Sequence, residues 1–247
     1  DAAKANAPGG NMLESGYAAP FLAHGTMEPM NMVASVKNNA CELWGTSQWP
    51  EWAARELAKE LSIDEKNVKI NLTYIGGGFG RRLKFDYVTE AAELSSIIKA
   101  PVKVIWTKED DMQGGSYRPA VRYRFEAALD ANGNMIGYKL RGAGINAGNC
   151  TREDNFPSGA VDNLLIESVE HVSPITTGAW RAPITNFLAF AEQSFIDEVA
   201  MAAGKDPVQF RLDLLARAKQ KPVSAIKYNI GRMEAVIKMA AEKSGWA

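Results

Sequence analysis

The stretch Ile75-Gly76-Gly77-Gly78-Phe79-Gly80-Arg81-Arg82 decides how this chain is read. Consecutive glycines cost backbone entropy, so they are found where a chain takes positive φ or where another group must approach closely. Before the run, residues 68–75 alternate around Ile70, Leu72 and Tyr74 and predict a strand. After it, Val88, Ala91, Ala92, Ser95 and Ile98 mark one face of a helix. A glycine loop in that setting can turn main-chain N–H groups toward an anion or an oxo group. Taken bare, it is equally a tight strand-to-helix turn. Two standard nucleotide loops are not matched. A Walker-type loop needs Lys and then Ser or Thr where Arg81 and Arg82 stand. A dinucleotide fingerprint beginning at Gly76 needs its third glycine at the position of Arg81.

Working outward, residues 41–47 predict a strand. Pro50 and Glu51 suit the first turn of a helix whose inner face carries Ala54, Leu57, Ala58 and Leu61. Residues 102–106 predict a buried strand after Pro101, so the first half reads β-α-β-α-β. Further on, Val121, Tyr123, Phe125, Ala127 and Leu129 alternate with Arg122, Arg124 and Glu126. A turn at residues 130–134 and a second strand to about Ile145 complete a hairpin with one wet face. The last third is helical. Phe187, Ala191, Phe195 and Val199 recur at i+4, Gly204 is a C-cap, and Asp206-Pro207 opens another helix. Gly231 precedes a final helix with Met233, Val236, Ile237 and Ala240. The expected fold class is α+β, in two mixed layers of sheet and helix. Its expected parts are a linker at 1–16, a β-α-β-α-β subdomain at 17–115, and the hairpin with C-terminal helices at 116–247.

Lys and Arg total 28 against 29 Asp and Glu, so nothing favours nucleic acid, which needs a basic face. Cys41, Cys150, His24 and His171 are too few and too scattered for a nitrogen–sulfur metal clamp, so a metal here would be carried by a cofactor. No apolar run reaches the ~18–20 residues of a membrane helix. The chain starts at Asp1 and stops at Ala247 just after a helical pattern, which reads as a piece of something longer.

Four ordered segments carry a family resemblance. Residues 76–82 are similar to the glycine-phenylalanine loop of the xanthine dehydrogenase/aldehyde oxidase family, and the Arg-Arg ending resembles the branch typified by isoquinoline 1-oxidoreductase. His24-Gly25-Thr26-Met27-Glu28-Pro29 and Trp44-Gly45-Thr46-Ser47-Gln48 resemble two further segments of that branch. Gly178-Ala179-Trp180-Arg181-Ala182-Pro183, with the helix containing Glu192, resembles its second cofactor segment. The resemblance covers residues 17–246.

It implies a molybdopterin cofactor, in the cytosine dinucleotide form, held mainly by backbone. By resemblance Gly77, Gly78, Phe79, Gly80, Arg81 and Arg181 bind the cofactor, with the backbone of Phe79 and Arg181 beside the metal. Arg81 and Arg82 are candidates for the cofactor's phosphate or for a carboxylate such as Asp86. Leu83 stands where purine-oxidising relatives carry Glu, which argues against a purine substrate. The family oxidises aldehydes or electron-poor heterocycles with water as oxygen source, using a general-base Glu near the end of the large subunit. No Gly-Val-Gly-Glu type segment occurs here, so no catalytic base is expected in this chain. Alone it should be inactive and retain little molybdenum. A 2Fe-2S small subunit, a small-molecule substrate and a periplasmic or membrane-associated setting are likewise implied. Two other readings stay open, a binding module without metal chemistry and a nucleotide-binding domain. His24 beside Glu28 reads as structural, Trp180 as pocket lining or core, and Glu192, Asp197 and Glu198 as the solvated face and caps of their helix.

Overall fold

The computed structural model describes residues 11–220 and 226–246. In chain order, strands β1 (Met12–Ala19), β2 (Leu22–Ala23), β3 (Asn31–Lys37) and β4 (Ala40–Gly45) lead to helix α1 (Pro50–Glu60). Strand β5 (Val68–Leu72), helix α2 (Asp86–Ile98), strand β6 (Val102–Ile105), helix α3 (Lys108–Gly114) and strand β7 (Tyr117–Arg118) follow. Then come β8 (Val121–Leu129), β9 (Met135–Ile145), β10 (Asn163–His171), and helices α4 (Thr185–Ala202), α5 (Pro207–Gln220) and α6 (Ile230–Ser244). The class is α+β, with helices layered on mixed sheets.

The chain divides into two units. One holds residues 21–119 and 174–183; the other holds 1–20, 120–173 and 184–247. The partition is thus discontinuous, where the sequence suggested one cut near 115. Residues 1–10 of the expected linker lie outside the described residues. Residues 12–16 are not linker: they belong to β1, which pairs antiparallel with β8, Tyr17 opposite Tyr123. Its Gly16 and flanking polar residues hid this strand, because its stability comes from its partner rather than from its own pattern.

The first unit contains a four-stranded sheet ordered β5-β4-β3-β6, with β4 and β5 parallel and the other neighbours antiparallel. One face packs Met32, Ala34, Cys41 and Leu43 against Leu57 of α1 and Tyr87, Val88, Ala91 and Ala92 of α2. Pro50 opens α1 where no N–H is needed, and Glu51 sits where the helix dipole favours an acid. Ala53 rather than Ala54 is buried there, and Ile98 at the end of α2 is exposed. β6 is an edge strand with Ile105 facing out, not the buried strand its apolar run suggested. β5 ends at Leu72, so Tyr74 and Ile75 lead exposed into the glycine loop.

The second unit is built on a sheet ordered β1-β8-β9-β10, with β10 parallel to β9. The alternation of β8 holds: Val121, Tyr123, Phe125, Ala127 and Leu129 are buried. The turn forms because Asp130 Oδ1 accepts the N–H groups of Asn132 and Asn134. Phe187, Leu188, Ala191, Phe195, Ile196 and Val199 of α4 cover this face, Phe195 stacked on Phe125 at 5.0 Å between ring centres. Truncating the fully buried Phe195 to Ala would cost ~3–5 kcal/mol. Asp206 caps α5 by accepting the Gln209 N–H, and Asn229 caps α6, placing Gly231 inside the first turn. Val236 on α6 is exposed, although the periodicity placed it on the inner face. Among the described residues no helix is long and apolar enough to cross a membrane.

Candidate functional site

The glycine loop is held tightly from behind. Gln48 Oε1 accepts the N–H of Gly80 at 2.9 Å and of Arg82 at 3.2 Å. Glu28 Oε2 accepts the N–H of Gly76 at 2.7 Å, and the Glu28 N–H donates to the Gly76 carbonyl at 3.2 Å. A Cβ on Gly76 would sit 2.4 Å from Glu28 Cβ, on Gly78 2.5 Å from Gln48 Oε1, and on Gly80 2.0 Å from the Ala179 carbonyl oxygen. Each of these glycines therefore lets a different neighbour press against the loop. Glu28 was weighed only as a partner of His24 and Gln48 was not a site candidate, because their role appears only once the loop has folded onto them.

Other main-chain groups of the loop are left without partners, although Gly78 itself is buried. Gly77 and Gly80 have φ of 104°, and Phe79 has φ of 53°, a region non-glycine residues rarely adopt. The N–H groups of Gly77, Gly78 and Phe79 have no hydrogen-bond partner among the described residues. Phe79 is 41% exposed, a large aromatic left in the open. The loop does not lead straight into a helix as expected. A tight 3-10 turn, Arg81–Leu83, intervenes and the helix α2 starts only at Asp86, so the loop is not the N-cap of α2.

Arg181 comes to the same place. Its N–H donates to the Phe79 carbonyl at 2.8 Å, and its guanidinium lies 5.3 Å from the centre of the Phe79 ring. Its side chain is exposed. The segment before it is anchored by Gly178, whose N–H donates to the Tyr117 carbonyl. Ala182 has φ of 57°, so strain marks this segment as it marks Phe79.

Arg81, named among the cofactor-binding candidates, is turned inward. It is 1% exposed, paired in bidentate fashion with Asp86 at 2.9 and 3.0 Å, and bonded through Nε to Asp111 at 3.2 Å. Of the partners kept open for it, the structure shows the carboxylate. Arg82 is fully buried; its Nε donates to the Gly77 carbonyl at 2.9 Å and its Nη2 to the backbone carbonyl and Oε2 of Glu28. Both cations thus brace the loop from inside.

The remaining candidates resolve individually. His24 does not pair with Glu28; its ring nitrogens face the carbonyls of Ser116 and Ala179, and Trp180 stacks on it at 4.7 Å. Burial holds its pKa below the usual value, so the neutral ring donates to one carbonyl at a time. Burial also opposes ionisation of Glu28, but Asn31, the Gly76 N–H and Arg82 outweigh it and bring its pKa below the ordinary value. Glu192 is not on a solvated face. It is 3% exposed, and desolvation pushes its carboxyl up to about 8.

Unpaired main-chain donors beside an exposed aromatic and an exposed cation fit an electron-rich oxygen- or sulfur-bearing group. Among the described residues no cluster of His, Cys, Asp and Glu could hold a metal directly.

Comparisons with known proteins agree with this chemistry. A family model described as the molybdopterin cofactor-binding domain matches residues 1–164. The membrane-bound aldehyde dehydrogenase (pyrroloquinoline-quinone) of Gluconacetobacter polyoxogenes is 30% identical, over 95% of this chain and 34% of that protein. Isoquinoline 1-oxidoreductase subunit beta of Brevundimonas diminuta is 29% identical, over 89% of this chain and 29% of that protein. Among solved structures, quinoline 2-oxidoreductase from Pseudomonas putida 86 superposes with a TM-score of 0.77 at 18% identity, covering 98% of this chain and 34% of that one. The chain therefore spans about a third of the length of the proteins it matches. Shown by the family model, whose match takes in the loop at 76–80, the conclusion is that this chain belongs to the molybdopterin cofactor-binding domain family of aldehyde- and xanthine-type oxidoreductases.

Proposed function

We propose that the chain is the loop-bearing portion of the large subunit of a molybdenum hydroxylase that oxidises an aldehyde or an N-heterocycle with water as oxygen source. The observation that carries this reading is the set of free N–H groups at Gly77, Gly78 and Phe79, next to the exposed Arg181. When bound, the cofactor supplies the two-electron redox chemistry. The residues of this chain supply positioning. The free N–H groups would donate to an electron-rich part of it, and the exposed Arg181 guanidinium would add a positive charge nearby. Arg81 and Arg82 keep the loop's shape and do not reach outward.

The cofactor is the cytosine dinucleotide form. Leu83 in place of Glu favours an aldehyde or simple heterocycle over a purine. The general-base Glu lies outside this chain, so the isolated chain is inactive; a base must reach the proton it removes. A 2Fe-2S subunit takes the electrons, in a periplasmic or membrane-associated setting.

The test is to express the longer subunit with its iron–sulfur partner, and the present chain alone. Molybdenum, the released nucleotide and incorporation of labelled oxygen from water are measured in each. About one molybdenum, cytidine monophosphate and labelled product are expected from the complex only. A complex without molybdenum, or one whose product takes its oxygen from elsewhere, would overturn the reading.

A further inference from the structure

We propose that the Glu28–Arg82 pair is the positioning device that keeps the N–H groups of Gly77 and Gly78 free of partners within the chain; the proposal rests on the cofactor-binding reading above. The argument is one of peptide geometry. In a trans peptide the C=O and the following N–H point in opposite directions, so anchoring a carbonyl on one side directs the next N–H to the other. The Gly76 carbonyl accepts from the Glu28 N–H at 3.2 Å, which turns the Gly77 N–H away from Glu28. The Gly77 carbonyl accepts from Arg82 Nε at 2.9 Å, which turns the Gly78 N–H away from Arg82. The Gly78 carbonyl accepts from the Arg81 N–H at 2.8 Å, which does the same for Phe79 within the tight turn itself.

Two of these three anchors depend on Glu28 and Arg82, and the two residues fix each other. Arg82 Nη2 donates to the Glu28 carboxylate at 3.0 Å and to its backbone carbonyl at 2.9 Å. Glu28 is steadied by Asn31 Nδ2 on its other oxygen at 2.9 Å. The planar fork of a guanidinium can hold the Gly77 carbonyl and Glu28 at once, whereas a lysine ammonium is a single point of charge. Three unpaired donors in a flexible loop would find other partners or water. Held this way, they stay free and aligned without cofactor present.

The test uses the whole chain labelled with 15N. In the wild type the Gly77 and Gly78 amides should have backbone order parameters near the rigid value of ~0.85, although they make no hydrogen bond. Arg82→Lys keeps the charge and removes the fork. It should drop the Gly78 order parameter below ~0.6 while leaving Gly80, held by Gln48, rigid. In the full-length subunit with its iron–sulfur partner, affinity for molybdopterin cofactor, extracted and titrated under anaerobic conditions, should fall at least ~10-fold, about 1.4 kcal/mol. Mobile Gly77 and Gly78 amides in the wild type overturn the proposal whatever the variant does. So does a rigid Gly78 in the variant, or an affinity unchanged within twofold. Should Arg82→Lys fail to fold, Glu28→Gln is read at the same amides against the same limits. A wild-type chain with rigid amides, whose full-length subunit in the complex takes up no cofactor, refutes the cofactor-binding reading and leaves the clamp standing.

Discussion

The main-chain N–H of Arg181 donates to the carbonyl of Phe79 at 2.8 Å, and this backbone bond joins two segments far apart in the chain. The side chain of Arg181 adds only an exposed contact with the Phe79 ring. An exposed cation–aromatic contact is worth ~0.5–1 kcal/mol. Arg181→Ala should therefore lower stability by no more than that, read from urea denaturation, while cofactor affinity or turnover in the complex falls ~10-fold or more, as for removal of a charged donor. A variant with wild-type affinity would remove the guanidinium from the site.

Gly80→Ala is expected to be far more damaging than its size suggests. Its φ is 104°, and the added Cβ would lie 2.0 Å from the Ala179 carbonyl oxygen. Gly204 also has positive φ, 65°, but nothing lies within 4 Å of a Cβ there. Strain alone should make Gly204→Ala cost ~1 kcal/mol, while Gly80→Ala should cost ~3 kcal/mol or more through overpacking plus strain. Thermal melts of the two variants decide this, and equal shifts would mean that the loop and the segment at 178–181 are not pressed together.

Removing Arg81 should leave the carboxylate of Asp111, 2% exposed, without its cation. Breaking a buried pair in this way costs ~3–5 kcal/mol. Arg124 pairs with Glu14 on an exposed strand face, so Arg124→Met should cost ~1 kcal/mol or less. The comparison is made by urea titration of Arg81→Met and Arg124→Met. A double variant, Arg81→Met with Asp111→Asn, should recover part of the loss. Failure of Arg81→Met to exceed the surface control would place its guanidinium outside the core.

Glu192 should make stability depend on pH. Its folded-state pKa of about 8 stands above the ordinary 4.5, because burial penalises the charged form. The folded state therefore keeps a proton that the unfolded state releases. The stabilisation is complete below about pH 4.5 and is lost as pH rises toward about 8. The loss across that window should be on the order of a few kcal/mol. Glu192→Gln removes the ionisable group, so its urea midpoint should fall less than that of the wild type as pH rises from about the ordinary 4.5 to above about 8. Parallel pH curves for the two proteins would show that Glu192 titrates normally.

How much of this was legible beforehand follows from what each feature depends on. The β8–β9 hairpin, the cap at Asp206 and the core face of α4 rest on near neighbours and on simple periodicity, so the residues alone specify them. The glycine loop was legible as a loop with a special backbone, because its requirement is local. Strand β10 was not, since Leu164, Leu165 and Ile166 give no alternation and the strand exists by parallel pairing with β9. Residues 174–183 return to the loop-bearing unit only through contacts with remote segments. Asp86 was among the partners kept open for Arg81, but its second partner Asp111 and the destinations of Arg82 and Glu192 were hidden. A charged side chain is written into the sequence, but its partner is chosen by distance in space. Asp111, Glu28 and Asn155 stand well away along the chain from the residues they meet. The amino-acid sequence by itself determined the family, the local elements and the position of the loop. Tertiary structure decided which groups face inward to brace that loop and which N–H donors are left over, because burial and charge pairing exist only once distant segments share one core.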